Sequence, residues 1–219
     1  MKAAYIKVLL LTLFLLTASS PQSAIKIARV KYDGGGDWYN DPSSEVNLLN
    51  FIRKNTNIIV EPKYTFVDLS TDDLFDYPLI YLTGHGNLNF SNSDSKRLRA
   101  YLENGGFLFI DDDYGLDKYV REEMKKVFPE QDFREIPFSH EIFKSHYDFS
   151  NGLPKIHEHD DKTPKAYGIF IEGRLSVFYV FESNLGDGWA DPDVHKDPPE
   201  KREEALKMGT NIFVWALTN

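Results

Sequence analysis

The sequence predicts an α/β domain in which helices cover both faces of a mostly parallel sheet. Strand-length apolar segments alternate along the chain with helix-length amphipathic segments, which is the pattern of such folds. Two strands, Leu79–Thr83 and Phe107–Ile110, are continuous apolar runs, as expected when both faces of a strand are covered. A hydrophobic fraction of 42% and an aromatic fraction of 14% supply the side chains for a sizeable core. The length of 219 residues favours one domain.

The strands are predicted from alternation and from short apolar runs. The first alternates apolar and polar residues, and the last two form a hairpin that turns at residues 172–174. We expect the third and fourth strands to be neighbouring, central and parallel. In chain order the predicted strands are Ile25–Tyr32, Tyr64–Leu69, Leu79–Thr83, Phe107–Ile110, Tyr167–Ile171 and Leu175–Phe181.

The helices are predicted from apolar residues at helical spacing and from their end signals. Ser43 or Ser44 can cap the first helix, Gly105 is placed to end the second, and Pro129 stops the third. Residues 70–73 suit a short helical turn, and residues 130–165 are polar and irregular. The predicted helices are Glu45–Asn55, Ser93–Asn104, Leu116–Phe128 and Glu200–Leu217.

The first 24 residues carry the pattern of a secretory signal peptide. Lys2 and Lys7 give a positive start, Val8–Leu16 is apolar apart from one threonine, and small residues follow. The alternative is an uncleaved anchor helix, but the apolar run is shorter than the roughly 18–20 residues that a spanning helix needs. We therefore expect cleavage between Ser20 and Ile25 and one exported domain over residues 25–219, periplasmic or secreted, without a transmembrane segment.

Charge and cysteine content exclude several classes of function. The net charge of −9 becomes −11 when the segment with Lys2 and Lys7 is removed, because 23 basic residues then face 34 acidic ones. Such a surface repels phosphate backbones, so nucleic acid is not an expected partner. The absence of cysteine excludes a thiol nucleophile, a disulfide and a thiolate metal site.

Four loops at predicted strand ends combine glycines with acidic, imidazole or indole groups. They are residues 34–39, 84–87, 111–115 and 185–189. Carboxyl ends of parallel strands meet at one edge of a sheet, where α/β domains bind their ligands. The alternative is that the glycines only make turns and the tryptophans fill the rim of the core. The residues expected to bind a ligand in a shared cleft are Asp37, Trp38, Tyr39, His85, Asp111, Asp112, Asp187 and Trp189.

A carboxylate–imidazole pair is the candidate for chemistry in this cleft. His85, with Asp112 or Asp113, could act as a general acid and base or ligate a metal. The alternative is that one aspartate caps the next helix and the others face solvent. No nucleophile elbow G-x-S-x-G, phosphate loop or dinucleotide fingerprint occurs in the sequence.

The histidine-rich segment His157–Asp161 has the composition of a metal site but no spacing typical of one. His140, His146 and His195 are expected to be structural or exposed. We therefore assign no metal ligand and no cofactor from the sequence.

The same loops resemble a bacterial family of unknown function, family 4159. The resemblance is carried by RVKYDGGGDWY (Arg29–Tyr39), LTGHGN (Leu82–Asn87), YLENGGFLFIDD (Tyr101–Asp112) and GDGW (Gly186–Trp189). It covers nearly all of residues 25–217 and implies a flavodoxin-like three-layer sandwich, similar to class I glutamine amidotransferases. It implies no established reaction. Asp112 or Asp113 stands where those enzymes place their nucleophilic cysteine, so glutamine hydrolysis by a thioester is excluded.

Two interpretations of function remain open. The first is a non-catalytic binding or scaffold module of the cell envelope, with aromatic and acidic groups that stack on and hydrogen-bond to a sugar or peptide of the wall. The alternative is a hydrolase of an envelope component that uses His85 with Asp112 or Asp113, with or without a metal. The partner is in either case an unidentified envelope ligand or protein.

Overall fold

A computed structural model of the protein describes residues 23–157, 159 and 161–219. The expected signal peptide lies outside the described residues except for Ser23 and Ala24. In the described part of the chain no helix combines the length and apolarity needed to cross a membrane.

The strands form one seven-stranded sheet with the order β2-β1-β3-β4-β7-β6-β5. The five strands from β2 to β7 in this order are parallel, whereas β6 and β5 are antiparallel to their neighbours. The expectation that β3 and β4 are neighbouring, central and parallel is confirmed. The strands are β1 (Ile27–Lys31), β2 (Phe66–Asp68), β3 (Leu79–Leu82), β4 (Phe107–Asp111), β5 (Arg134–Glu135), β6 (Lys165–Ile171) and β7 (Arg174–Phe181).

The helices agree with the sequence prediction within a few residues, with one addition. The glycine-rich loop after β7 winds into the short helix α4, and Asn184 takes a left-handed conformation immediately before it. Short 3₁₀ turns span Asp72–Asp76 and Glu141–Lys144. The helices are α1 (Ser44–Asn55), α2 (Asn92–Glu103), α3 (Asp117–Val127), α4 (Leu185–Trp189) and α5 (Pro199–Thr218).

Two apolar cores lie on opposite faces of the sheet and make a flavodoxin-like three-layer sandwich. Helices α1, α4 and α5 contact one another over one face, and α2 contacts α3 over the other. Alternation along β4 divides its side chains between the two cores: Phe107 and Phe109 enter the first, and Leu108 and Ile110 enter the second. The same alternation carries Asp111 towards α4 and Asp112 towards α3.

Candidate functional site

The candidate site lies where the chain leaves β1 and β3 in opposite directions. After β1 the chain continues to α1 on one face, and after β3 it continues to α2 on the other. In a sheet whose parallel strands follow this order, the point of divergence opens a crevice at the carboxyl edge. The loop after β1 brings Asp37 to this crevice, and the loop after β3 brings His85.

A buried ion pair holds the loop that follows β1. The guanidinium of Arg29 on β1 bonds both carboxylate oxygens of Glu45 on α1, at 2.6 and 2.7 Å, and both side chains are fully buried. The same guanidinium donates to the backbone carbonyls of Trp38, Asn40 and Asp41. Arg29 therefore fixes residues 38–41 relative to the first strand.

Two glycines let the loops after β1 and β3 approach each other closely. A Cβ on Gly36 would lie 2.7 Å from the carbonyl oxygen of Asn87, and one on Gly84 would overlap the hydroxyl of Tyr32. Gly84 also has a φ of +134°, which side chains rarely adopt. Across this contact the backbone N–H of His85 donates to Asp37 Oδ1 at 2.5 Å. Glycine at these two positions therefore allows His85 to contact Asp37.

The imidazole of His85 lies between two carboxylates. Its Nδ1 is 3.1 Å from Asp37 Oδ2 and 3.3 Å from Asp113 Oδ2, while the side chain as a whole is 49% exposed. No described residue hydrogen-bonds its Nε2. Burial lowers the pKa of His85, but the charges of Asp113 and Asp37 outweigh it and hold the pKa above its usual value. The ring is therefore oriented through one nitrogen, with the other left for a ligand.

Asp113 is a buried carboxylate that two amides and one imidazole surround. Asn40 Nδ2 donates to its Oδ2 at 2.5 Å, and Asn184 Nδ2 donates to its Oδ1 at 3.0 Å. Burial, together with the charge of Asp187, raises the pKa of Asp113 to about 7 in spite of the opposing effect of His85. Asp113 can accordingly hold or release a proton near neutral pH.

The other two aspartates after β4 have structural partners. Asp111 is fully buried and accepts a hydrogen bond of 2.6 Å from the backbone N–H of Gly186 on α4. Asp112 accepts one of 2.9 Å from the backbone N–H of Leu116, just before α3. Burial raises the pKa of Asp112 to about 6, although the bond from Leu116 opposes it. Of the two aspartates considered as partners of His85, the structure brings Asp113 to it.

Asp112 and Asp113 also line an open cleft of about 350 Å³. Tyr114, half exposed, and His159 form part of its wall with ring centroids 4.6 Å apart. This cleft gives a ligand access to the buried carboxylate of Asp113.

A second group of histidines and aspartates adjoins the first. His157 Nδ1 lies 2.6 Å from Asp187 Oδ2, and His195 Nε2 lies 3.7 Å from Asp187 Oδ1. One ligand atom from each of these three residues lies within 4.8 Å of the others, so the group could hold a metal ion. The sequence pattern identifies no metal ligand, and it predicts His195 to be structural or exposed. Glu158 and Asp160, in the same histidine-rich segment, lie outside the described residues.

The aromatic residues of the predicted cleft differ in their burial. Trp189 is buried beneath α5, where its Nε1 donates to the carbonyl of Ala205 and its ring packs on Tyr81 and Phe109. The expectation that Trp189 lines the cleft is therefore wrong, because α4 turns this side chain into the core. Trp38 is partly buried against Phe66, and Tyr39 is exposed beside it.

The structure thus brings Asp37, His85, Asp113 and Asp187 into one neighbourhood, in which Asp111 and Asp112 serve as structural supports. Sequence reasoning missed several polar residues that complete the site. The histidine-rich composition around residue 157 and the glycine-rich segment after β7 were the available signals for two of them. The missed residues are Arg29, Asn40, Asp41, Asn184, His157, His195 and Asp197.

Comparison with known proteins shows the family. No curated protein matches the chain. The family model described as a domain of unknown function (DUF4159) matches residues 26–217, so the chain belongs to this family.

Proposed function

We propose that the chain is an exported hydrolase of a cell-envelope component, in which His85 is the general base that activates water. The observation that carries the proposal is the position of His85 Nδ1, 3.1 Å from Asp37 Oδ2 and 3.3 Å from Asp113 Oδ2, at the crevice of the sheet. Carboxylates on one nitrogen orient the ring and stabilise the imidazolium that forms when the other nitrogen accepts a proton.

The proposed step uses water because, among the described residues, no hydroxyl or thiol is hydrogen-bonded to His85. The sequence contains no cysteine. Near the crevice, the hydroxyl of Ser44 donates to the carbonyl of Gly186, and that of Ser183 donates to the carbonyl of Pro154. Water would therefore attack the substrate as His85 Nε2 takes its proton, and the imidazolium would return the proton to the leaving group. Asp113, with a pKa of about 7, can share that proton.

The first test uses p-nitrophenyl acetate and purified peptidoglycan as probes, read by p-nitrophenol release and by mass spectrometry of soluble fragments. We expect turnover above that of buffer and a loss of about 100-fold or more in kcat/KM for His85→Asn, the usual contribution of a general base. His146→Asn is the matched control, because His146 is exposed and far along the chain, on the segment that bonds Asn211. Equal losses in both variants would indicate only unspecific imidazole reactivity.

The pH profile tests the role of the carboxylates. Because Asp37 raises the pKa of His85, Asp37→Asn should move the rise of kcat/KM to lower pH. A profile that stays in place would contradict the orientation of His85 by Asp37.

The second candidate function is a binding module. It is favoured by the open 350 Å³ cleft with its exposed Tyr114 and by the amides around Asp113. Burial of Trp189 weakens it, since one of the expected stacking groups is removed. Cosedimentation with purified peptidoglycan that His85→Asn leaves unchanged, without turnover of either probe, would favour this candidate over the hydrolase.

A further inference from the structure

Three residues that are distant in sequence meet near His85 and Asp113, and their side chains carry the donor atoms of a metal site. Asp187 comes from α4, His157 from the irregular segment before β6, and His195 from the loop between α4 and α5. His157 and His195 have ring centroids 5.1 Å apart, and Asp187 has one oxygen towards each ring. We propose that His157, Asp187 and His195 bind one Zn²⁺ ion.

The donor set fits zinc better than the hard cations. Two imidazoles and one carboxylate are ligands that Zn²⁺ prefers, whereas Ca²⁺ and Mg²⁺ take oxygen ligands almost exclusively. With ligand distances near 2.0–2.2 Å, tetrahedral ligand atoms are about 3.3 Å apart. His157 Nδ1 lies 2.6 Å from one carboxylate oxygen of Asp187, and His195 Nε2 lies 3.7 Å from the other. One ligand atom from each of the three residues lies within 4.8 Å of the others, so side-chain rotations would bring them to this spacing. Three protein ligands leave the fourth position for water.

An outer carboxylate holds His157 in the way that metal sites require. Asp197 Oδ1 lies 3.1 Å from His157 Nε2, which leaves Nδ1 of that ring facing Asp187. At His195, Asp41 Oδ2 lies 2.8 Å from Nε2, the same nitrogen that faces Asp187, so Asp41 adds a further carboxylate oxygen beside the proposed ligands. A carboxylate on the far nitrogen of a ligating histidine fixes the ring and makes it a stronger ligand.

The aspartates around the proposed ligands pair with imidazoles. Among the described residues, the ion-pair partners of five aspartates here are histidines alone. These aspartates are Asp37, Asp41, Asp113, Asp187 and Asp197. A divalent cation would offset a surplus of carboxylates that neutral imidazoles cannot.

Buried polar atoms without partners supply independent support. The side chain of Asp197 is only 7% exposed, yet no residue in the described part of the chain hydrogen-bonds its Oδ2. Asn184 is buried, and its Nδ2 lies within 3.3 Å of both Asp113 Oδ1 and Asp187 Oδ2. Its Oδ1 has no hydrogen-bond partner among the residues that the structure describes. Groups left in this way are typical of a site completed by an ion and its water.

The test is Zn²⁺ binding by the full chain, purified without a polyhistidine tag and stripped with a chelator. Native mass spectrometry and titration calorimetry should show one Zn²⁺ per chain, and Zn²⁺ should raise the Tm. His195→Gln and Asp187→Asn should each abolish stoichiometric binding, and Asp197→Asn should weaken it 10–100-fold. Circular dichroism of each metal-free variant checks that it is folded.

Two matched controls separate this site from the hydrolytic proposal. His146→Gln and His85→Asn should bind Zn²⁺ with the affinity of the unmodified chain, whether or not His85→Asn abolishes turnover. The metal site would be overturned if the unmodified chain bound no stoichiometric Zn²⁺, or if folded His195→Gln bound it equally well.

Discussion

At Asp112, burial and helix capping act on the same carboxylate. The backbone N–H of Leu116 favours its ionised form, but removal from water and the nearby carboxylates of Asp117 and Glu182 disfavour it. The net result is a pKa of about 6, above the value near 3.9 of an aspartate in an unfolded chain. Between about pH 4 and 6 the folded state therefore keeps Asp112 protonated, whereas the unfolded state has released the proton.

Asp112→Asn should remove a pH dependence of stability. In the unmodified chain the contribution of this proton to stability is fully present below about pH 4 and is lost as the pH rises through about 6, a change of ~3 kcal/mol. Asparagine caps a helix as well as aspartate and carries no charge. As the pH rises from 4 to 7, the free energy of unfolding of the variant should therefore exceed that of the unmodified chain by up to that amount. Urea unfolding at several pH values measures the difference.

The control for this prediction is Asp132→Asn, which neutralises a carboxylate that is 81% exposed and pairs with Lys125. The free energy of unfolding of this variant should vary with pH as that of the unmodified chain does. Parallel curves for Asp112→Asn and the unmodified chain would show that Asp112 is ionised in the folded protein throughout this range.

Single residues of the site were predictable where local pattern decides their position. His85 and Asp37 follow strands directly, and strand ends are visible in the sequence. Trp189 was not predictable, because the winding of residues 185–189 into α4 determines which way its ring faces. Asp113 could not be distinguished from Asp112 as the partner of His85, since Asn40 and Asn184 arrive from distant segments.

At the scale of elements, Arg29 joins β1, α1 and the loop between them. An arginine on a strand that alternates polar and apolar residues is ordinarily exposed to solvent. Here α1 covers Arg29 and brings Glu45 to it. The sequence shows an arginine and a helix, whereas the ion pair depends on how that helix packs on the sheet. The loop carbonyls that Arg29 binds make its role wider than that of the pair alone.

Arg29→Met should lower the free energy of unfolding by about 3–5 kcal/mol, because it leaves Glu45 buried without its partner. Arg29→Met combined with Glu45→Leu should recover much of that loss, since two apolar side chains of similar volume can replace a buried pair. Guanidinium unfolding of both single variants and the double variant measures the coupling.

The double variant should not recover function, because the carbonyls of Trp38 and Asn40 still lack the guanidinium that fixes their loop. Its kcat/KM on the probe substrates should stay below that of the unmodified chain even where stability is restored. Full recovery of turnover would show that the loop is held without Arg29.

At the scale of the whole molecule, the topology converts four separated loops into one edge of the sheet. Alternation of strands and helices predicts parallel strands, and parallel strands place their carboxyl ends together. The sequence did not show that β7 would pair with β4 while β6 continues outwards as its antiparallel neighbour. The pairing of β7 with β4 brings the loop with Asp187 to the edge of the sheet that holds His85. This pairing joins segments that are distant in sequence, so local sequence patterns do not predict it.

Export is the last prediction at this scale. The positive start, the apolar run Val8–Leu16 and the small residues after it predict cleavage between Ser20 and Ile25. In the described part of the chain, Ile25 is held by a bridge to Val60, and its backbone N–H donates to the carbonyl of Ile59. Cleavage before Ile25 would keep these contacts. Intact-mass and N-terminal analysis of protein from an envelope fraction should give a chain that begins between Pro21 and Ile25.

Replacement of Leu10 and Leu13 by aspartate is the matched test of the apolar run, because charges there should block recognition of the segment while leaving residues 25–219 unchanged. The variant should remain in the cytosol at full length. If the unmodified chain were recovered from the cytosol with Met1 in place, the export prediction would be wrong, and the envelope would no longer be the place to look for a substrate. The Zn²⁺ site would be unaffected by that outcome, since its ligands all lie beyond residue 150.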